Sequence, residues 1–224
     1  MTTNTNTALC IRCGKAAADQ LVCPGCIVVE PTAKESDYFD VFSLPRRLTI
    51  DLADLEQRYY ALSRRLHPDL FHDHPPAEQA ASLRATALVN RAYRVLKDPV
   101  QRGLYWLEQN GESLGRDNER VSPALAARVF EVQEQLEGLR AAPAAGKADR
   151  AIRDMAAIRD ELRGDLDACG DRLAANFTRT DTVGGNLDAA AALAETKQIL
   201  SELHYVRTLL RDVEKELGPA WNVS

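Results

Sequence analysis

Aromatic residues make up only 6% of the 224-residue chain, methionine occurs twice and histidine four times. So thin an aromatic content disfavours an all-β sandwich or barrel. The dominance of Ala, Leu, Arg and Glu instead favours helices packed through aliphatic seams. No uninterrupted apolar run approaches the roughly 20 residues needed to cross a bilayer. The segment Met1 to Leu9 carries neither a hydrophobic signal core nor an Arg-rich amphipathic presequence. A membrane partner is therefore not expected. The default compartment is the cytoplasm, or the mitochondrial matrix in a eukaryote despite the missing presequence. An excess of basic residues is lacking too: the net charge is -5, which argues against nucleic acid held by bulk phosphate neutralisation.

What is present is a chain 45% hydrophobic and 27% charged, long enough for one to three helical modules. Its five cysteines are unevenly placed. Cys10 and Cys13 form one C-x-x-C pair, Cys23 and Cys26 form another, and Cys169 stands alone. Each pair can make a tight turn that aims two thiolates at one ion, and Gly14 and Pro24-Gly25 suit such turns. In a reducing compartment this pattern reads as structural Zn²⁺ in a zinc-ribbon-like module. Iron fits the same tetrahedral cage. A thioredoxin-like redox role for C-P-G-C needs a βαβ context that the segment lacks. The plain reading is that the metal staples a module too small to fold by burial alone.

Residues 1–34 are thus assigned to a disordered tip and the cysteine module, 35–110 to a first helical domain, 111–122 to a linker and 123–224 to a three-helix bundle. In the first domain, SDYFDVFSLP suggests a short helix capped by Ser36 and ended by Pro45. Thr49 or Asp51 caps a second helix whose stripe is Leu52, Leu55, Tyr59, Leu62 and Leu66. Pro68 stops it, leaving His67 to His74 as a loop before Pro75-Pro76 opens the next helix. That third helix, Ala77 to Lys97, places Ala80, Leu83, Ala87, Leu88, Ala92, Tyr93, Val95 and Leu96 on its apolar side and can return antiparallel to the second. A fourth, Val100 to Gln109, is closed by Asn110-Gly111. Three further helical stretches are expected at about Pro123 to Arg140, Ala148 to Thr180 and Leu187 to Leu217. The whole is an all-α protein.

His67, Pro68 and Asp69 sit where a helix bearing Arg58, Arg64 and Arg65 ends and a helical hairpin turns. Proton-transfer chemistry by His67 and Asp69 is disfavoured because no nucleophile or pocket sequence accompanies them, so an enzyme is not expected. For Arg58, Arg64 and Arg65 the plain alternative is a solvated helix face. His72 and His74 read as exposed loop residues without a role.

The turn, with SDYFDVFSLP before it and LVNRAYRVLKDPVQRGLYWL after it, resembles a J-domain. Through DYF at Asp37 to Phe39, LHPDLF at Leu66 to Phe71 and QRGLYWL at Gln101 to Leu107, the chain is similar to the HscB-type iron-sulfur co-chaperones. The eukaryotic form with an N-terminal cysteine module is the nearer match, and the likeness runs from about Cys10 to the C-terminus. The resemblance implies that His67, Pro68, Asp69, Arg58, Arg64 and Arg65 contact a DnaK/HscA-type ATPase chaperone. It implies too that the C-terminal bundle binds the iron-sulfur cluster scaffold protein through Ala126, Ala127, Phe130, Glu131, Glu134 and Tyr205. Bulky apolar residues common in that family at the first two of these positions are alanines here, leaving Leu125 or Val129 to compensate or the affinity to fall. Leu70 stands where many J-domains carry a basic residue. For Phe130 and Tyr205 the plain alternative is bundle core. Two other functions stay open: a J-protein for a different client, and a zinc-stapled adaptor with an inert J-like hairpin. A homodimer also stays open.

Overall fold

The computed structural model describes residues 37–114, 123–140, 145–182 and 186–218. The cysteine module with Cys10, Cys13, Cys23 and Cys26, and Ser36, lie outside them. Among the described residues the all-α expectation holds. The α-helices are α1 (Tyr38–Val41), α2 (Leu52–Leu66), α3 (Pro76–Lys97), α4 (Pro99–Gln109), α5 (Pro123–Arg140), α6 (Ala145–Thr182) and α7 (Asn186–Leu217). The chain divides into two compact units between Tyr105 and Trp106, inside α4.

In the first unit, α1 is shorter than the sequence suggests. It is capped by Asp37, whose carboxylate accepts the Phe39 amide at 3.0 Å, and it ends at Phe42, before Pro45 is reached. Ser43 then adopts φ 50°, a backbone region that side chains other than glycine rarely enter. The turn is held there by Arg58, whose guanidinium donates to the carbonyls of Phe42 at 2.9 Å and Ser43 at 3.1 Å.

Of the two candidate caps for α2, Asp51 is the one used: it accepts the amides of Ala53 and Asp54. Helices α2 and α3 run antiparallel, since Tyr59 donates to Asn90, Tyr93 donates to Glu56, and Ser82 lies at the end of α2. Their seam buries Leu55 and Leu66 from one side and Ala81, Ser82, Ala85, Leu88, Val89, Ala92 and Leu96 from the other. The expected α3 stripe is therefore out of register in its first half. Leu83 is exposed and Ala87 faces solvent, while Ala81 and Ala85 are buried. Asp98 caps α4 by accepting the amides of Val100 and Gln101. Gly111, at φ 74°, closes it: its amide bonds Glu108 and the Glu112 amide bonds Leu107, the paired bonds that end a helix through a left-handed residue.

In the second unit α6 and α7 form a long antiparallel hairpin, bridged by Arg163 to Glu214, Arg172 to Glu202 and Arg179 to Glu195. Helix α5 lies on one end of it. There Val132 and Leu136 join Met155, Ile158, Leu162, Val206, Leu209, Val213 and Leu217 in a single core. Near the other end Asn176, buried, donates to Thr196 Oγ1 at 2.7 Å and to the Ala192 carbonyl at 3.1 Å.

Candidate functional site

Pro68 has no amide to give, so the helical hydrogen bonding of α2 cannot continue past Leu66. The chain tightens into a single 3-10 turn, Pro68–Phe71, in which the Leu70 amide bonds the His67 carbonyl at 3.0 Å. Phe71 is buried and plugs this turn against Ala81 of α3. His67 and Asp69 are left outside, with side-chain exposures of 58% and 87%. His67 Nδ1 lies 3.3 Å from the Asp69 amide and 3.4 Å from Asp69 Oδ2. Asp69 thus presents an almost fully hydrated carboxylate on a short, stiff turn. Such a group can accept charge-assisted bonds from an incoming guanidinium or ammonium.

The three arginines of α2 separate into two kinds. Arg64 and Arg65, in the last turn, are exposed and have no ion pair among the described residues. Arg58 is different: its Nε is 2.9 Å from both carboxylate oxygens of Asp54, and its Nη1 holds the α1–α2 turn. Its visible work is to brace the domain. Tyr60 on α2 and Leu70 in the turn add exposed apolar surface.

The loop after the turn is more ordered chemically than a string of exposed polar residues would be. His74 Nδ1 lies 2.7 Å from Glu78 Oε2, and its ring packs on Phe71 at 5.2 Å. Gln79 donates to the carbonyls of His72 at 2.9 Å and His74 at 2.8 Å. The sequence alone singles out neither His74 nor Gln79 nor Ser82. A helix-interior Ser–Thr pair four residues apart, opposite a proline-ended helix, was the available signal.

In the second unit α5 buries Val132 and Leu136, which leaves Phe130 pointing away from that core with 77% exposure. The bundle-core reading of Phe130 is thereby removed. Ala127, Glu131 and Glu134 are exposed on the same helix, while Ala126 is half-buried. Glu131 also pairs with Arg128 at 2.8 Å, and Arg128 reaches Glu161 of α6. Tyr205, on α7, is half-buried and packs edge-on to His204 at 6.0 Å.

Residues 37–105, which hold the turn and its hairpin, match the DnaJ domain. A co-chaperone protein HscB homolog from Bordetella pertussis is 36% identical over 146 residues, covering 61% of this chain and 86% of that protein. The chain belongs to the HscB co-chaperone family. An iron-sulfur cluster co-chaperone protein HscB homolog of Arabidopsis thaliana is 31% identical over 127 residues, covering 57% of this chain and 50% of that one. The structure of chaperone HscB from Vibrio cholerae superposes with a TM-score of 0.57 at 25% identity, over 80% of this chain and 96% of that chain. The HscB match to the Bordetella relative extends well beyond the DnaJ segment, so the family assignment does not rest on the J-domain alone. No helix among the described residues is long and apolar enough to cross a membrane.

Proposed function

We propose that this chain stimulates the ATPase of a DnaK/HscA-type chaperone through the His67-Pro68-Asp69 turn and delivers to it the scaffold protein on which iron-sulfur clusters are assembled. The observation that carries the reading is the exposed carboxylate of Asp69 on a proline-fixed turn, within a DnaJ segment of an HscB-family chain. Arg64 and Arg65 supply positive charge beside the turn for an acidic surface of the chaperone, and Asp69 accepts from one of its arginines. Arg58 contributes by fixing the α1–α2 turn behind them.

The second hand is the outer face of α5. Phe130 is the apolar anchor there, with Ala126, Ala127, Glu131 and Glu134 around it and Tyr205 contributing from α7. An exposed aromatic with Glu134 and the Arg128-paired Glu131 on the same helix suits a partner with an apolar pocket and a basic rim. Holding client and chaperone on one chain raises the client's effective concentration at the chaperone. Cys10, Cys13, Cys23 and Cys26 are four soft thiolate donors in two C-x-x-C pairs, the donor set of structural Zn²⁺. There the metal would close the module and take no part in turnover.

The test is steady-state ATPase of the cognate chaperone with this protein, with and without scaffold, beside Asp69→Asn. The expected result is stimulation that requires Asp69 and rises with scaffold. No stimulation by folded protein sinks the proposal. The alanines at 126 and 127 favour one second reading, a J-protein for another client, for which stimulation would be Asp69-dependent and indifferent to scaffold.

A further inference from the structure

The carbonyl of Leu66 is the last of α2, directly before the motif. In a continuing helix it would accept the Leu70 amide, but that amide is turned to His67. A buried carbonyl without a partner is costly. Two hydroxyls of the neighbouring helix replace the lost donor: Ser82 Oγ donates to Leu66 O at 2.6 Å and Thr86 Oγ1 donates to the same oxygen at 3.0 Å. Ser82 is fully buried. A buried serine inside a helix ordinarily bonds back to its own backbone; this one reaches across the hairpin. One turn earlier, Gln79 holds the carbonyls of His72 and His74 at the far end of the loop.

Gln79, Ser82 and Thr86 lie at i, i+3 and i+7 on α3, so one polar stripe of that helix grips the chain on both sides of the motif. We infer that Gln79, Ser82 and Thr86 are positioning residues for the chaperone reaction, setting the direction in which His67 and Asp69 leave the hairpin. In this role none of the three needs to touch the partner. They act by supplying hydrogen-bond donors to three carbonyls, and His74 with Glu78 stiffens the span between. Aspartate placed on a turn that can swing by even a small angle loses the alignment that a charge-assisted bond to the chaperone needs. This inference rests on the proposed chaperone reaction for its consequence, while its geometry can be read on the isolated protein.

The experiment compares the full-length chain with Thr86→Val, with Ser82→Ala/Thr86→Val, with the hydroxyl-retaining Thr86→Ser, and with Val89→Ala as a core variant of the same helix that leaves the three donors in place. Amide hydrogen exchange of Leu70 and maximal chaperone ATPase stimulation are both measured, with melting temperature as the common scale. The double variant is expected to speed Leu70 exchange by up to about tenfold, the span of one hydrogen bond's net worth in a local opening equilibrium. It is expected to lower maximal stimulation by at least several-fold, with the apparent affinity for the chaperone less affected. Thr86→Ser should behave as wild type, and Val89→Ala should keep stimulation at a matched loss of melting temperature. If the double variant does not fold, Thr86→Val carries the comparison. Unchanged Leu70 exchange and stimulation in the folded hydroxyl variants overturn the inference, as does an equal loss of stimulation in Val89→Ala. Wild-type protein that does not stimulate at all fails the proposed function instead, a result distinguishable because Leu70 exchange would still respond to the hydroxyls.

Discussion

The Tyr105 hydroxyl donates to the Asp37 carboxylate at 2.9 Å while accepting the Tyr38 amide at 3.0 Å. One side chain near the end of the first unit thus fastens its first helix, and Asp37 simultaneously caps that helix and pairs with Arg46. The Tyr38 and Tyr105 rings stack at 4.4 Å above the same junction.

Tyr105→Phe should cost about 1–3 kcal/mol, because it keeps the ring and removes both the bond to the Asp37 carboxylate and the one from the Tyr38 amide. Burial holds the Tyr105 hydroxyl well above its ordinary 10.0; the Tyr38 amide opposes that rise and the Asp37 bond adds to it. The folded state therefore binds this proton more tightly than the unfolded state. Stability from it is complete below about pH 10 and falls as pH rises further. Urea melts across alkaline pH should show a steeper decline for wild type than for Tyr105→Phe.

The α2 arginines should divide in their effects. Arg58→Ala should lose about 1–2 kcal/mol by freeing Asp54 and two turn carbonyls, an amount moderated by its partial exposure. Arg64→Ala and Arg65→Ala should stay within about 0.5 kcal/mol in denaturation yet weaken chaperone stimulation, more so at low salt. Equal melting losses for all three would contradict the assignment of Arg58 as a brace.

Phe130→Ala should leave the melting temperature nearly unchanged, since the ring is mostly in water, while weakening capture of the scaffold protein by about 2 kcal/mol or more if it is the anchor. Calorimetric titration of the scaffold reads this directly. A variant that binds as wild type would move the client surface off α5.

Cys169 is 2% exposed, and burial, aided by Glu202 and opposed by Arg172, pushes its thiol from an ordinary 9.0 up to about 11. At pH 7.5 it should resist iodoacetamide in the folded protein and react on unfolding, as peptide mapping of position 169 will report. Its stability contribution, with a folded value above the unfolded one, should hold below about pH 9 and decline above it.

The long helices were legible because their apolar residues recur at helical spacing: α5 and the C-terminal limit of α7 fall where expected, and α6 and the start of α7 lie within a few residues. The register of α3 was less so. Alanines at 80, 81, 85, 87 and 92 fit several stripes, and the stripe that forms includes Ser82, bonded to the Leu66 carbonyl, a long-range contact no local pattern encodes. Asp37 caps α1 for a similar reason, since Tyr105 and Arg46 both converge on its carboxylate. The exposed turn was legible from three letters, because Pro68 dictates the break by itself. Its supporting residues were not, because Gln79, Ser82 and Thr86 acquire meaning only from the helix opposite. Arg58 likewise shares a helix and a charge with Arg64 and Arg65, and its bonds to Asp54 and to the Phe42 and Ser43 carbonyls are what distinguish it.

The side chain of Asp69 lies outside the core and braces no helix. A lineage in which this carboxylate decayed would keep its melt and, under the proposed function, its grip on the client. Selection for folding is blind to that loss. Under the proposed function such a protein would hold a client that it can no longer hand on.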